Sequence, residues 1–343
     1  MEDTKQPIPN EEPANTEKPK PKPVGKEKKP EPQYLLSSSP HMATIDRVPK
    51  IMWTVIAALM PAVVYGMYNF GFNVLLTVLA SVIAAVATEI VINKMRGRES
   101  SVADGSAVLT GLLLTMTLPP AFPKAYAAVG AVFAIAIGKQ IFGGLGYNIF
   151  NPALLGRAFL QASFSVKITT WTAPVGIDAI TTATPLGSFK FEKIMTPYFD
   201  MFMGKIGGCI GETSALLIII GGVYLLVKKY ADWRIPASYL GTVFILGGLL
   251  WIINPEQYPD PVFHLFSGGL MLGAFFMATD MVTSPVTPKG TWIYGFGMGA
   301  VLIIIRLFGG LPEGVMYSIL FMNAFVPLIN RYTRPKIFGE LKK

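Results

Sequence analysis

At 343 residues, with 52% hydrophobic and 15% charged side chains and a mean hydropathy of +0.48, the chain has the balance of a polytopic membrane protein, not of a soluble globular domain. Its single cysteine, Cys209, excludes an intrachain disulfide and any four-thiolate iron–sulfur or zinc site built from this chain alone. His41 and His264 lie in contexts too different for bis-histidine haem ligation, so a redox centre here is organic or belongs to a partner. The formal net charge of +8 comes from bases in short stretches beside apolar runs, which points to anionic lipid and not to nucleic acid.

Residues 1–50 read as a cytoplasmic tail. Its first part, MEDTKQPIPNEEPANTEKPKPKPVGKEKKPEPQ, is rich in Pro, Glu and Lys and nearly lacks aliphatic side chains, so it is expected to be disordered. No apolar stretch directly follows its first basic residues, so it does not read as a secretory signal. The following YLLSSSPHMATIDRVPK is less extreme and is expected to lie along the membrane surface.

Apolar runs then occupy 51–68, 71–93, 106–118, 125–143 and 151–164, and, after a polar interval, 213–227, 237–253, 263–280, 292–309 and 314–330. A full crossing takes roughly 20 apolar residues, fewer for a broken or half helix, so these are about ten expected transmembrane segments, some short. SAVLTGLLLTMTLPP stops at Pro119-Pro120, and NPALLGRAFLQASF starts on Asn151-Pro152 and carries Arg157. Unpaired backbone inside a bilayer is tolerated only where it lines a cavity or a ligand, so the broken segments are the first place to expect a site.

The runs also repeat. IFGGLGYNIFNPALL at 141–155 matches LFGGLPEGVMYSIL at 307–320, with Phe-Gly-Gly-Leu offset by 166 residues. Upstream, LTGLLLTMTLPP at 109–120 matches MLGAFFMATDMVTSP at 271–285. The expectation is an all-α polytopic membrane protein of two five-helix halves. An odd number of segments per half makes the second half inverted relative to the first. The expected division is a tail at 1–50, a first repeat at 51–164, an extracytoplasmic loop at 165–212, a second repeat at 213–330 and a C-terminal tail at 331–343. Lys and Arg gather on the side that holds both termini, which predicts both termini in the cytoplasm and the 165–212 interval outside.

That interval contains IDAITTATPLG at 177–187. Threonine hydroxyls are weak nucleophiles without a base or a transferring enzyme, and a polar loop of this composition is usually a turn, with Asp178 capping it. The stretch DAITTATPLG nevertheless resembles the flavinylation motif Asp-x-x-Ser/Thr-Gly-Ala-Thr, matching at Asp178, Thr181, Ala183 and Thr184; Thr182 stands where glycine is usual. The blocks ADGSAVLTGLLLTMTLPP, GKQIFGGLGYNIFNPALLGRAF, GETSALLIIIGGVYLL and MATDMVTSPVTPKG resemble the D subunits of the Rnf ion-translocating ferredoxin:NAD+ oxidoreductase complexes, over everything but the tail. They are similar in the same blocks to the B subunits of the sodium-translocating NADH:quinone reductases.

The resemblance implies an electron-carrying subunit in the cytoplasmic (inner) membrane of a bacterium or archaeon. It implies FMN joined through its phosphate to Thr184 by a separate flavin transferase, and a non-covalent riboflavin contacted by Asn148 and Asn151 of YNIFNPAL. An isoalloxazine edge needs donors and acceptors, and an Asn amide offers both; the alternative role of these residues is to cap the helix that follows. Partners would be the other Rnf subunits, membrane lipid and the translocated Na+ or H+. This chain has no cysteine cluster and no dinucleotide fingerprint, so it reads as part of an enzyme.

Arg157 needs a partner inside the membrane, either an acid or the flavin cavity. Glu212 reads as an end-of-helix charge. Glu89 and Asp280 read as members of an ion path or as partners of nearby bases. Gly295 and Gly299 read as a close-packing face. The competing functional reading is an inverted-repeat solute channel or secondary transporter without redox function, which broken helices fit equally well.

Overall fold

The computed structural model describes residues 46–98, 101–172, 174, 183–212 and 214–335; the tail at 1–45, the motif residues Asp178, Thr181 and Thr182, and 336–343 lie outside them. The described residues hold α1 (Val48–Phe70), α2 (Asn73–Met95), α3 (Ser106–Met116), α4 (Lys124–Ile135), α5 (Pro152–Ser163), α6 (Ser165–Ile168) and α7 (Pro185–Glu192). They continue with α8 (Tyr198–Met203), α9 (Ala215–Val227), α10 (Arg234–Ile253), α11 (Pro261–Phe266), α12 (Leu270–Leu272), α13 (Pro288–Phe308) and α14 (Val315–Tyr332). Each of the ten expected segments has a helical counterpart. Among the described residues, α1, α2, α10 and α13 are long and apolar enough to cross a membrane on their own, while α3 and α9 are shorter apolar helices. At 1.5 Å per residue the 11-residue α3 reaches about 16 Å, roughly half of a bilayer core.

Local chemistry explains the helix starts. α5, α7 and α13 each open on a capping side chain followed by Pro at the first helical position: Asn151-Pro152, Thr184-Pro185 and Thr287-Pro288. The cap oxygen accepts amides of the first turn, and the ring fixes φ where no amide partner is lost. One expectation needs correction. The run 263–280 is not a continuous segment; it breaks after α11 at Ser267–Gly269, resumes as α12 and runs into a π-helical turn, Gly273–Met277. Gly268 sits at φ +67, where a side chain would be strained, and Arg306 of α13 takes the freed carbonyls of His264 and Ser267 at 2.6 and 2.8 Å. A second π-helical turn, Ala136–Gln140, extends α4.

The packing repeats as the sequence does. α2 lies on α4 as α10 lies on α13, and α4 meets α5 as α13 meets α14. Gly295 and Gly299 close the α10–α13 contact, where added Cβ atoms would lie 2.6 Å from Ser238 and Thr242 side-chain carbons. The halves meet where α1 crosses α9. There a Cβ on Gly221 would fall 2.4 Å from the Ala58 carbonyl oxygen and 3.1 Å from the Phe276 ring. Backbone cannot yield as a side-chain tip does. Gly221→Val is therefore expected to cost about 1–3 kcal/mol or more, read as a lowered unfolding temperature of the purified protein. Gly241→Val, facing open space on α10, is the control expected to change little.

Candidate functional site

The polar interval folds back on the helical body. α7, α8 and the loop after α8 bury Leu186, Met201 and Ile206 against Phe263 of α11. Tyr65 and Asn69, at the end of α1, donate to the carbonyls of Met203 and Gly204 at 3.0 and 3.3 Å. Lys190 pins α7 to the end of α13: its ammonium donates to the carbonyls of Arg306, Gly309 and Leu311 at 3.2, 2.5 and 3.0 Å. Partial burial lowers the pKa of Lys190 from its ordinary value.

This docking sets Thr184 at the edge of a cavity of about 420 Å³. Its walls include Trp171, Phe191 and Ser188 from the interval, Arg157 and Gln161 from α5, and Glu313 from the loop before α14. Thr184 is buried, and its Oγ1 caps α7 by accepting the Gly187 amide at 3.1 Å. Ala183 lines the same cavity. Arg157 is buried too; it donates to the Thr117 carbonyl, and its Nη2 donates to Glu313 Oε2 at 2.7 Å. Arg157 thus both pairs with an acid and lines the cavity. A planar ring system with a phosphate tail fits this lining: two aromatic walls, a guanidinium and a hydroxyl.

A second cavity, of about 80 Å³, opens at the start of α5, where Pro152 and Ala153 line it about one turn before Arg157. Ser106, Thr110, Lys139, Asn148, Asn151, Tyr230 and Asp280 line it, with Phe276 and the start of α1. Here the two asparagines differ. Asn151 is spent on structure: its Oδ1 accepts the amides of Ala153 and Leu154 at 3.0 and 3.3 Å, and its Nδ2 donates to the Met277 carbonyl at 3.2 Å. Asn148 donates to the Phe150 carbonyl at 3.2 Å, but its Oδ1 is buried without a partner among the described residues. That orphaned acceptor suits a ring N–H, which is the donor a flavin pyrimidine edge presents.

Asp178 and Thr181 fall outside the described residues. Glu89, of α2, is an ion-pair partner: Lys139 reaches it at 2.8 Å, both side chains buried. Asp280 accepts from Thr283 Oγ1 at 3.0 Å and lines the second cavity. Glu212 is not a solvated helix-end charge: it is 6% exposed and accepts the Cys209 thiol at 3.0 Å. The residue-by-residue reading missed Lys139, Trp171 and Glu313. Glu313 had a signal, since it lies in the repeated Phe-Gly-Gly-Leu block, opposite Tyr147 and one residue from the place of Asn148 in the first copy.

Comparison with known proteins agrees with this architecture. The family model described as "NQR2, RnfD, RnfE family" matches residues 35–339. The chain is 50% identical over 322 residues to the D subunit of the proton-translocating ferredoxin:NAD(+) oxidoreductase complex of Clostridium ljungdahlii, covering 89% of this chain and 96% of that one. It is 49% identical over 311 residues to the D subunit of the Na(+)-translocating ferredoxin:NAD(+) oxidoreductase complex of Acetobacterium woodii, covering 90% and 96%. It is 40% identical over 327 residues to the D subunit of the ion-translocating oxidoreductase complex of Stutzerimonas stutzeri, covering 85% and 92%. With a matching model over most of its length and relatives this similar, the chain belongs to the NQR2, RnfD, RnfE family.

Proposed function

We propose that this chain is the subunit of an ion-translocating ferredoxin:NAD+ oxidoreductase complex that carries two flavins and passes electrons between them. FMN is esterified through its phosphate to Thr184, and riboflavin sits without a covalent bond in the Asn148 cavity. The observation that carries this reading is Thr184 itself, the last residue of a flavinylation-like motif, standing at the edge of a cavity with aromatic walls and a guanidinium. Bound flavins supply reversible electron transfer. The chain's own residues do the rest. Trp171 and Phe191 flank a ring, and Arg157 offsets phosphate charge. In the second cavity Asn148 Oδ1 would accept from the riboflavin ring, Asn151 would shape the wall as a helix cap, and Lys139 would place a fixed cation nearby.

The ferredoxin and NAD+ ends belong to other Rnf subunits, and a flavin transferase completes maturation. The Lys/Arg distribution supports both termini in the cytoplasm and the Thr184 interval outside the cytoplasmic membrane, in contact with lipid through the long helices. The complex moves Na+ or H+. The test is to purify the complex, denature it in acid and separate chain from supernatant. One FMN is expected to remain on this chain, and one riboflavin is expected free. A chain without any flavin would sink the reading and leave the inverted-repeat channel in its place.

A further inference from the structure

α10 and α13 lie side by side and run in the same direction, since Gly295 faces Ser238 and Gly299, one turn on, faces Thr242. On their outer side they leave a groove of about 420 Å³. One wall is the α10 stripe Ala237, Gly241 and Ile245; the other is Trp292, Ile293 and Phe296 of α13. A Cβ on Gly241 would meet nothing within 4 Å, so the α10 wall is set back there. Helical spacing extends each wall by one turn to a base. Arg234 stands three residues before Ala237, and Lys289 three before Trp292. Two apolar walls therefore begin, at the same end of the molecule, with a guanidinium and an ammonium.

A polar pocket of about 510 Å³ adjoins that end, with Lys229, Tyr230, Asp232, Trp233 and Arg234 on its walls. Pocket and groove meet at a tryptophan pair: Trp233 of the one and Trp292 of the other stand edge to face, 5.9 Å between ring centroids. The Arg234 guanidinium lies 6.0 Å from the Trp233 ring centroid. The acids at this end are engaged. Asp46 pairs with Lys50 at 2.6 Å, Asp232 with Arg234 at 3.5 Å, and Asp280 accepts from Thr283. The Arg234 pair is long and a third exposed on both sides, so it holds the guanidinium weakly. Among the described residues no acid pairs with Lys229 or Lys289. Positive charge is thus left uncompensated above an apolar trough, with two indole rings at the level between them.

We propose that this groove and pocket bind one anionic phospholipid, its phosphate among Lys229, Arg234 and Lys289 and one acyl chain laid between α10 and α13. Charge complementarity selects this occupant. A cationic head on an apolar trough matches a molecule with a negative head and an apolar tail, and basic pockets between membrane helices recognise such headgroups. A zwitterionic lipid brings its own cation to the same ammonium groups and forfeits the gain. Tryptophan rings, apolar in body with one N–H edge, suit the ester level between head and tail. The leaflet is the one at the start of α1 and the end of α14. Tyr230 of the pocket donates to Asp46 just ahead of α1 at 3.1 Å, and the Val286 amide donates to Asn330 of α14 at 3.1 Å. Neither flavin takes part, so the lipid site stands or falls independently of the proposed function.

The experiment is photolabelling of the intact complex in mixed micelles. The probes are phosphatidylglycerol and phosphatidylcholine carrying the same photoactivatable acyl chain, and labelled peptides are mapped on this chain. Phosphatidylglycerol is expected to label the α10 and α13 walls about tenfold or more over phosphatidylcholine, at roughly fivefold per base facing the headgroup. Lys229→Gln with Lys289→Gln is expected to bring the two lipids close to level, because Asp232 offsets the remaining Arg234. Both lysines are exposed and without an acid partner among the described residues, so the double variant is expected to fold and assemble. Gly241→Phe, which fills the groove, is expected to suppress label from both lipids. Equal labelling of the wild type by both lipids, or a preference surviving in the lysine variant, overturns the proposal and leaves a groove wetted by bulk lipid. Absence of label from either lipid overturns it as well, and shows this face covered by another subunit.

Discussion

Thr184→Ala is expected to abolish covalent flavin on this chain, seen as loss of in-gel fluorescence and of one FMN residue from the intact mass, with the flavin transferase co-expressed. The side chain has two jobs that must be separated. Its hydroxyl is the attachment point under the proposed function, and its Oγ1 caps α7 through the Gly187 amide. Alanine removes both, and loss of a cap costs about 0.5–2 kcal/mol. Thr184→Asn keeps a cap acceptor without a hydroxyl, and Thr184→Ser keeps both. Serine is therefore expected to retain some label, asparagine to lose it at near wild-type stability, and alanine to lose it with a small drop in stability. Label surviving in the asparagine variant would move the attachment away from Thr184. An unmodified wild type would direct attention to Thr182, which stands where the motif usually has glycine.

The second large effect concerns the buried pair beside the other cavity. Glu89→Gln is expected to destabilise the protein by about 3–5 kcal/mol, measured by thermal unfolding in detergent. Glu89 is fully buried and Lys139 nearly so, with 2.8 Å between the ammonium and Glu89 Oε1. The same oxygen accepts Ser101 Oγ at 2.6 Å, while Lys139 also donates to Ser106 Oγ at 2.5 Å. Glutamine keeps the shape and an acceptor but leaves the lysine charge uncompensated away from water. Removing both charges, in Glu89→Gln with Lys139→Met, is expected to recover most of the loss. Equal destabilisation of the single and double variants would show that Glu89 acts through its shape and not its charge.

Much of the architecture was legible in the order of residues. The apolar runs, the Asn151-Pro152 and Thr287-Pro288 starts and the Phe-Gly-Gly-Leu repeat are local or periodic, and local patterns survive into helices because capping and burial act over a few residues. The break at Ser267–Gly269 was only half legible. Ser267-Gly268-Gly269 is a turn signal inside a mostly apolar run, but what holds the split is a positive φ at Gly268 together with a guanidinium from α13, about 40 residues away. The two asparagines were both legible as cap or ligand. Only packing separated them, since the Met277 carbonyl takes the Asn151 amide and nothing among the described residues takes Asn148 Oδ1.

By itself the sequence determined a membrane-embedded helical chain of two similar halves and its family, because hydropathy, periodicity and motif spacing are properties of neighbours along the chain. The tertiary structure alone decided which charges meet. Lys139 found Glu89 across 50 residues, Arg157 found Glu313 across 156, and Glu212 became a buried acid where a solvated one was expected. Such pairings depend on which helices lie side by side, and no local rule encodes a Coulombic contact between residues that far apart.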